Sequence, residues 1–287
     1  MITAKNLRYA YPGTNQETLH GLNFHIEKKE IFGFLGPSGA GKSTTQKILI
    51  GLLQGYRGNL EVMNQEVSTW DYDFYQHVGV SFELPNHYLK LTALENLRYF
   101  KSLYSGQTHQ PEEVLEWVGL EADANKKVAD YSKGMKIRLN VARSLIHQPK
   151  ILFLDEPTSG LDPVNARKIK DLILEVRSRG TTVFVTTHNM MVADELCDRV
   201  AFITSGNISV IDAPSTLKKK HGKRSILVEY LNQEQHLFQQ EFPLDRLGDN
   251  KDFIILLKAN HRIETIHSQE TTLDNIFIEV TGEELKK

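Results

Sequence analysis

Short, nearly unbroken apolar runs recur along the chain at residues 31–35, 151–154, 182–185 and 200–203. A strand covered on both faces needs apolar residues at successive positions, so these runs predict buried parallel strands. Between them the period changes to 3.6. Residues 166–177 place Ile169, Leu172, Ile173 and Val176 on one helical face, and Thr45, Ile48, Leu49 and Leu52 form a shorter stripe after the first run. Strands alternating with helices predict an α/β core. Residues 88–148 carry helical periodicity and little strand signal, which reads as a helical subdomain inserted into that core.

Beyond the core the pattern weakens. The basic run Lys218, Lys219, Lys220, His221, Gly222, Lys223, Arg224 marks a boundary, either a solvated linker or a contact for anionic lipid headgroups. Residues 225–231, 253–259 and, more weakly, 263–266 read as strands. Thr271 and Asp274 are spaced as a capping box before a helix carrying Leu273, Ile276, Phe277 and Val280. The expected organisation is a main domain over 1–217 and a small C-terminal α+β accessory domain over 218–287.

Composition narrows the classes. Of 287 residues, 40% are hydrophobic and 24% charged, with a net charge of -2, so no global basic field points to nucleic acid. One cysteine, Cys197, excludes an intramolecular disulfide and suits a reducing compartment. The N-terminal residues lack the apolar stretch of a signal peptide. No run approaches the roughly 18 apolar residues that would cross a bilayer. The chain is therefore expected in the cytoplasm.

The chemistry begins at Gly36, Pro37, Ser38, Gly39, Ala40, Gly41, Lys42, Ser43 and Thr44, which match G-x-x-x-x-G-K-[ST] between a strand and a helix. Glycines let successive N–H groups curl toward phosphate oxygens, and the helix start adds unpaired donors. Lys42 would reach the β- and γ-phosphates, and the Ser43 hydroxyl would ligate Mg²⁺. A second apolar run ends in Asp155 and Glu156. A buried strand delivers both to the carboxyl edge of the sheet, where ligands of open α/β folds bind. Asp155 suits Mg²⁺, and Glu156 is placed to polarise an attacking water. His188 follows a third run and could orient that water.

These motifs, in this order and at these spacings over residues 1–214, resemble the ATP-binding subunit of ABC transporters. The resemblance implies a P-loop NTPase core with an inserted helical subdomain. It also implies an ATPase that uses ATP and Mg²⁺ at the cytoplasmic face of a bacterial membrane. Tyr11 matches the aromatic that stacks on adenine, with Tyr9 as the alternative. The family signature LSGGQ falls at Tyr131, Ser132, Lys133, Gly134 and Met135; Ser132 and Gly134 are kept, whereas Lys133 and Met135 depart. Glu83 stands where the family has glutamine, and could still offer an oxygen to Mg²⁺. Ser159, Gly160, Leu161 and Asp162 match the loop that crosses to a second ATPase subunit.

In the family, two subunits close head to tail over two ATP molecules. Each site takes its phosphate loop from one chain and its signature loop from the other. The implied partners are a second copy or close homologue and a separate membrane-spanning permease, with no nucleic acid. The signature, together with Thr272, Leu273, Asp274, Asn275, Ile276 and Phe277, resembles the subgroup serving ABC-2-type exporters. A single glycine loop and no sustained heptads disfavour translation-type and repair-type members. The presence of both Glu156 and His188 disfavours a non-hydrolysing regulator.

Overall fold

A computed structural model describes residues 1–14, 16–222, 225–232, 234–259, 262–269 and 271–283. The predicted buried runs become adjacent strands of one sheet. Val78–Ser81, Ile151–Asp155, Thr182–Thr187, Ile31–Leu35 and Arg199–Thr204 lie side by side in that order, all parallel. Asn207–Asp212 closes the far edge antiparallel to Arg199–Thr204. Every residue of Ile31–Leu35 and Thr182–Thr187 is buried, which is why these strands read as continuous apolar runs. Parallel strands need crossovers; the helix Pro163–Ser178 joins the neighbours Ile151–Asp155 and Thr182–Thr187, and Met190–Leu196 joins Thr182–Thr187 to Arg199–Thr204 across Ile31–Leu35.

A second sheet was not visible in the apolar pattern. Glu17–Ile26, Ile2–Ala10, Arg57–Val62 and Gln65–Glu66 pair antiparallel in that order. Its strands alternate buried and exposed positions, and register shifts break the alternation within Ile2–Ala10. Phenylalanines join the two sheets. Phe24 meets Phe32 and Phe34 at centroid distances of 6.1 and 5.7 Å, and Phe184 meets Phe34 and Phe153 at 5.6 Å each. Truncating one such ring in a packed core costs about 3–5 kcal/mol, so this layer ties the two sheets together.

The insertion between Val78–Ser81 and Ile151–Asp155 contains the helices Ala93–Lys101, Pro111–Trp117 and Lys133–Leu145. The first starts in a capping box, in which Thr92 Oγ1 accepts from Glu95 N at 3.1 Å and Glu95 Oε2 accepts from Thr92 N at 2.8 Å.

The chain divides into two compact units, Met1–Ala213 and Pro214–Gly282, a boundary ahead of the expected Lys218. In the second unit, Leu237–Pro243, Ser225–Leu231 and Arg262–Gln269 form an antiparallel sheet in that order. Ile226, Val228, Phe242 and Leu256 make its small core. Lys218, Lys219 and Lys220 end the helix Pro214–His221, whereas Lys223 and Arg224 of the expected basic run lie outside the described residues.

Three expectations need correction. Residues 253–259 do not form a strand: Lys251–Lys258 is a helix, because Asn250 caps it by accepting from Phe253 N at 3.1 Å. A short apolar run fits either period, and the cap decides. The last helix, Leu273–Thr281, is capped one residue later than expected, by Thr272 accepting from Asn275 N rather than by Thr271 with Asp274. The helix after the glycine loop is Lys42–Leu49 and stops short of Leu52, because Gly51 turns the chain with φ 75°.

Candidate nucleotide site

The glycine loop links Ile31–Leu35 to Lys42–Leu49. Close approach requires Gly36, since a Cβ there would lie 2.0 Å from the Ile203 carbonyl oxygen. Gly41, with φ 109°, sits at the N-cap of the helix, in a conformation that side-chain-bearing residues rarely adopt. The loop therefore reaches the helix start without a capping side chain. Lys42 is buried and donates from Nζ to the Gly36 and Pro37 carbonyls at 2.6 and 3.0 Å. Burial pushes its ammonium pKa down, against the pull of Glu156, Asp155 and Glu83. Loop carbonyls thus hold the lysine, and an anion in the loop would relieve its desolvation.

The acid strand ends against this loop. Asp155 Oδ2 accepts from Ser43 Oγ at 3.4 Å, and its Oδ1 accepts a short hydrogen bond from Thr186 Oγ1. Burial pushes the Asp155 carboxyl up, and Glu156 adds to this; Thr186, Ser43 and Lys42 oppose it. A cation here would be met by hard oxygen donors on the edge of a desolvated carboxylate, which is the donor set Mg²⁺ prefers. Among the described residues no group of three or more His, Cys, Asp or Glu side chains could hold a metal.

Glu156 sits one residue on, with φ 48°, a backbone strain typical of functional positions. Three donors fix its carboxylate: Thr187 Oγ1 to Oε2 at 2.9 Å, His188 N to Oε1 at 2.9 Å, and His188 Nδ1 to Oε1 at 2.6 Å. His188 therefore carries its proton on Nδ1, leaving Nε2 toward solvent. Thr186 and Thr187 were missed by sequence reasoning. Their signal was two hydroxyls directly after the apolar stretch Val183, Phe184 and Val185.

Tyr11 Oη and Thr44 Oγ1 are 3.0 Å apart, so the tyrosine stands beside the loop. Tyr9 is buried at 4% exposure and packs its ring edge-on against Tyr11 at 5.1 Å. Tyr11, at 36%, is the ring free to meet a base.

The signature loop forms a second group. Ser132 caps Lys133–Leu145 by accepting from Met135 N at 3.2 Å. A Cβ on Gly134 would lie 3.3 Å from Leu161, and one on Gly160 would lie 3.5 Å from the Lys133 side chain. Asp162 caps Pro163–Ser178 through Asn165 N at 3.0 Å, which holds its carboxyl pKa low. Among the described residues no hydrogen bond joins residues 132–135 to residues 36–44 of the same chain. Glu83 is exposed, and its charge bears on Lys42 without a hydrogen bond to Ser43 or Asp155.

The ABC transporter family model matches residues 19–159. The fluoroquinolones export ATP-binding protein of Mycobacterium tuberculosis is 53% identical over 285 residues, covering 99% of this chain and 94% of that protein. The chain belongs to the ABC transporter ATP-binding family.

The bacitracin transport ATP-binding protein of Bacillus licheniformis is 32% identical over 92% of this chain and 86% of its own length. In three dimensions the cassette resembles a dimeric ATP-binding cassette in a post-hydrolysis state bound to ADP and Pi. The TM-score is 0.68, with 29% identity, over 74% of this chain and 98% of that one. Residues 224–270 match the C-terminal domain model of a fluoroquinolone efflux ABC transporter. As an ABC cassette the chain binds and hydrolyses ATP.

Proposed function

We propose that this cassette is the ATPase subunit of a bacterial exporter. It closes head to tail with a second copy or close homologue around two Mg-ATP and drives a separate membrane-spanning subunit from the inner face of the membrane. The observation that carries the reading is the division of the site. Lys42, Ser43, Asp155 and Glu156 converge at the carboxyl edge of one sheet, whereas among the described residues no hydrogen bond joins Ser132 and its helix start to the phosphate loop of the same chain. Phosphoryl transfer depends on positioning and charge stabilisation, so hydrolysis awaits a signature loop brought by the other subunit. The export sense rests on the name of the Mycobacterium tuberculosis relative, a fluoroquinolones export ATP-binding protein. Among the described residues no helix is long and apolar enough to cross a membrane.

Residues 36–44 would cradle the phosphates, with Lys42 on the β- and γ-phosphates and Tyr11 stacked on adenine. Ser43 and Asp155 would hold Mg²⁺, with Glu83 approaching on closure; the ion offsets phosphate charge. Glu156 takes the proton of the attacking water, and His188 fixes its orientation. Ser132, Lys133, Gly134 and Met135 would meet the γ-phosphate bound by the other subunit, and Asp162 would border that interface. The membrane subunit would seat a cytoplasmic helix in the groove near Glu83 and residues 88–97.

Glu156→Gln tests the base. Losing a general base lowers turnover by about 10²–10⁴-fold. The variant should therefore bind ATP normally, hydrolyse it at least 100-fold more slowly, and accumulate an ATP-dependent dimer in size-exclusion chromatography. Wild-type turnover by this variant removes Glu156 from the role. A monomer at saturating ATP removes the closed dimer.

A further inference from the structure

The phosphate loop and the acid pair occupy the carboxyl edge of the parallel sheet. Two clefts open at its amino edge, and neither shares a lining residue with the aromatic cavity of about 520 Å³ that Arg143, His87 and His147 line beside the helical insertion. The first, of about 300 Å³, has apolar walls including Trp117 and Val176, with Arg179 and Lys150 among its lining. The second, of about 360 Å³, brings Lys28, Lys29 and Lys150 together. Lys150 and Gly180 line both, so the two clefts form one groove. Among the described residues neither lining contains an aspartate or glutamate.

The groove is aromatic at one end and cationic at the other. At the aromatic end the Arg179 guanidinium lies 5.4 Å from the centre of the Trp117 ring, and His109 meets that ring edge-on at 4.6 Å. Arg179 gives one donor to Glu175 Oε1 at 2.6 Å, and a guanidinium has five. Gln148 adds an exposed side-chain amide to the lining. At the other end, among the described residues, no carboxylate forms an ion pair with Lys28, Lys29 or Lys150; the flanking Glu27 and Glu30 are engaged by His25 and Arg199. The lysine stems start from pinned backbone. Lys29 N donates to Thr182 Oγ1 at 3.0 Å, and the Lys29 carbonyl accepts from Arg177 Nε at 3.0 Å. Lys150 N donates to the His77 carbonyl at 2.8 Å, and the Lys150 carbonyl accepts from Thr182 N at 3.0 Å. Cations gathered without acids create a positive field that an anion would offset.

We propose that this groove is an additional nucleotide site, separate from the catalytic one, that takes a nucleoside di- or triphosphate. The base packs against the Trp117–Arg179 pair with its edge toward Gln148, and the phosphates lie over Lys150, Lys29 and Lys28. An aromatic platform with cations further along one groove matches a ligand whose ring and charges sit at opposite ends. A free phosphate or a lipid headgroup would meet the lysines and leave the platform empty. The place in the fold gives the site a bearing on catalysis. Ile31–Leu35, Ile151–Asp155 and Thr182–Thr187 begin beside Lys29, at Lys150 and at the lining residue Thr182, and they lead to the phosphate loop, the acid pair and His188. Five residues of strand separate the two edges by about 17 Å, so no side chain serves both sites. The proposal does not depend on the dimer or on the sense of transport.

The chain has two tryptophans, Trp70 and Trp117, so Trp70→Phe in the full-length protein leaves Trp117 as a local reporter. ADP should quench its fluorescence saturably. Stacking of a base strengthens binding roughly five- to a hundredfold, so tripolyphosphate should compete with ADP at least about tenfold less well than ATP does. Losing a hydrogen bond to a charged group costs roughly ten- to a hundredfold in affinity, so Lys150→Glu should shift the quenching midpoint by at least that factor. Tyr11→Ala and Lys42→Ala, which weaken the catalytic site, should leave the midpoint in place. Binding of a fluorescent nucleotide at the catalytic edge confirms that each groove variant is folded; should Lys150→Glu lose it, the double variant Lys28→Gln, Lys29→Gln carries the test. Absence of saturable quenching overturns the site, as does quenching that follows Tyr11→Ala and Lys42→Ala but ignores the lysine variants. Equal competition by tripolyphosphate and ATP overturns the nucleoside part and marks a general anion groove. In each case the assignment of the catalytic site stands, since Glu156→Gln tests it separately.

Discussion

The phosphate edge and the aromatic cavity lie on the same unit, yet they differ in how far the chain completes its own hydrogen bonds. At the phosphate edge the ionisable groups of the loop and acid pair are engaged from within: Lys42 by two carbonyls, Asp155 by two hydroxyls, Glu156 by three donors. In the cavity, Arg143 keeps donors free, and the buried Nδ1 atoms of His87 and His147 have no partner. A site that repeats identical chemistry on each cycle gains from preorganised groups. A surface that recognises another chain keeps its valences for that chain. The contrast thus separates groups that this sequence engages from within from groups that it leaves with spare hydrogen-bonding capacity.

The largest expected effect breaks the contrast from the cavity side. His87 and His147 donate from Nε2 to the Lys136 and Val78 carbonyls at 2.9 and 3.1 Å, which leaves Nδ1 bare. Burial is the main cause of their low pKa, about 4 each. Arg143 and Lys136 push His87 further down, and His77 does the same to His147. Between the ordinary histidine value and 4 the unfolded chain binds protons that the folded chain refuses. Their contribution to stability is complete above about pH 6.5, falls as pH is lowered through that window, and is gone near pH 4. At about 1.4 kcal/mol per pH unit, each histidine contributes about 3 kcal/mol as an upper value. The urea midpoint should therefore fall steeply from pH 7 to pH 4.5. The slope should flatten in His147→Phe, which can keep the stack on Tyr104 seen at 3.9 Å. An unchanged slope would mean that the ring is hydrated in solution.

On the phosphate side, Lys42→Ala removes a cation that loop carbonyls already hold in place. A hydrogen bond to a charged group contributes about 1.5–3 kcal/mol, so ATP affinity should fall roughly ten- to a hundredfold by calorimetry, with the thermal midpoint of the protein alone little changed. A matching loss of affinity for Arg143→Ala would erase the division between the two regions.

How much of this was legible beforehand follows the same division. The parallel strands, the glycine loop, the acid pair and the Ser132 cap are contiguous in sequence, and each carries a local physical signature. The antiparallel sheet was not legible, because half-exposed strands with shifted register lose clean alternation. The helix Lys251–Lys258 was mistaken for a strand because its apolar residues are too few to fix a period, and the Asn250 cap went unused. The donors from Thr186 and Thr187 lie 31 residues from their acceptors, and Arg143 lies 57 residues from Asn86. No window of sequence shows such pairs; only the closed sheet and the packed insertion bring them together.

The smallest effect concerns the adenine end, where sequence left Tyr9 and Tyr11 both open. Tyr9 is sealed in the core, so Tyr9→Phe should leave nucleotide affinity unchanged. Tyr11 leaves its ring part-exposed beside the loop and places its hydroxyl against Thr44, and two substitutions separate the proposed stacking from that contact. Tyr11→Ala loses the stacking platform, which contributes about 1–3 kcal/mol per base, and should weaken ATP about tenfold. Tyr11→Phe keeps the ring and loses a neutral hydrogen bond of about 1 kcal/mol that also exists without nucleotide, so affinity should move less than about threefold. If Tyr11→Phe proves as damaging as Tyr11→Ala in a fluorescent-nucleotide titration, the ring is not the platform. The hydroxyl bridge to Thr44 would then be what shapes the loop, and the adenine end would join the preorganised part of the site.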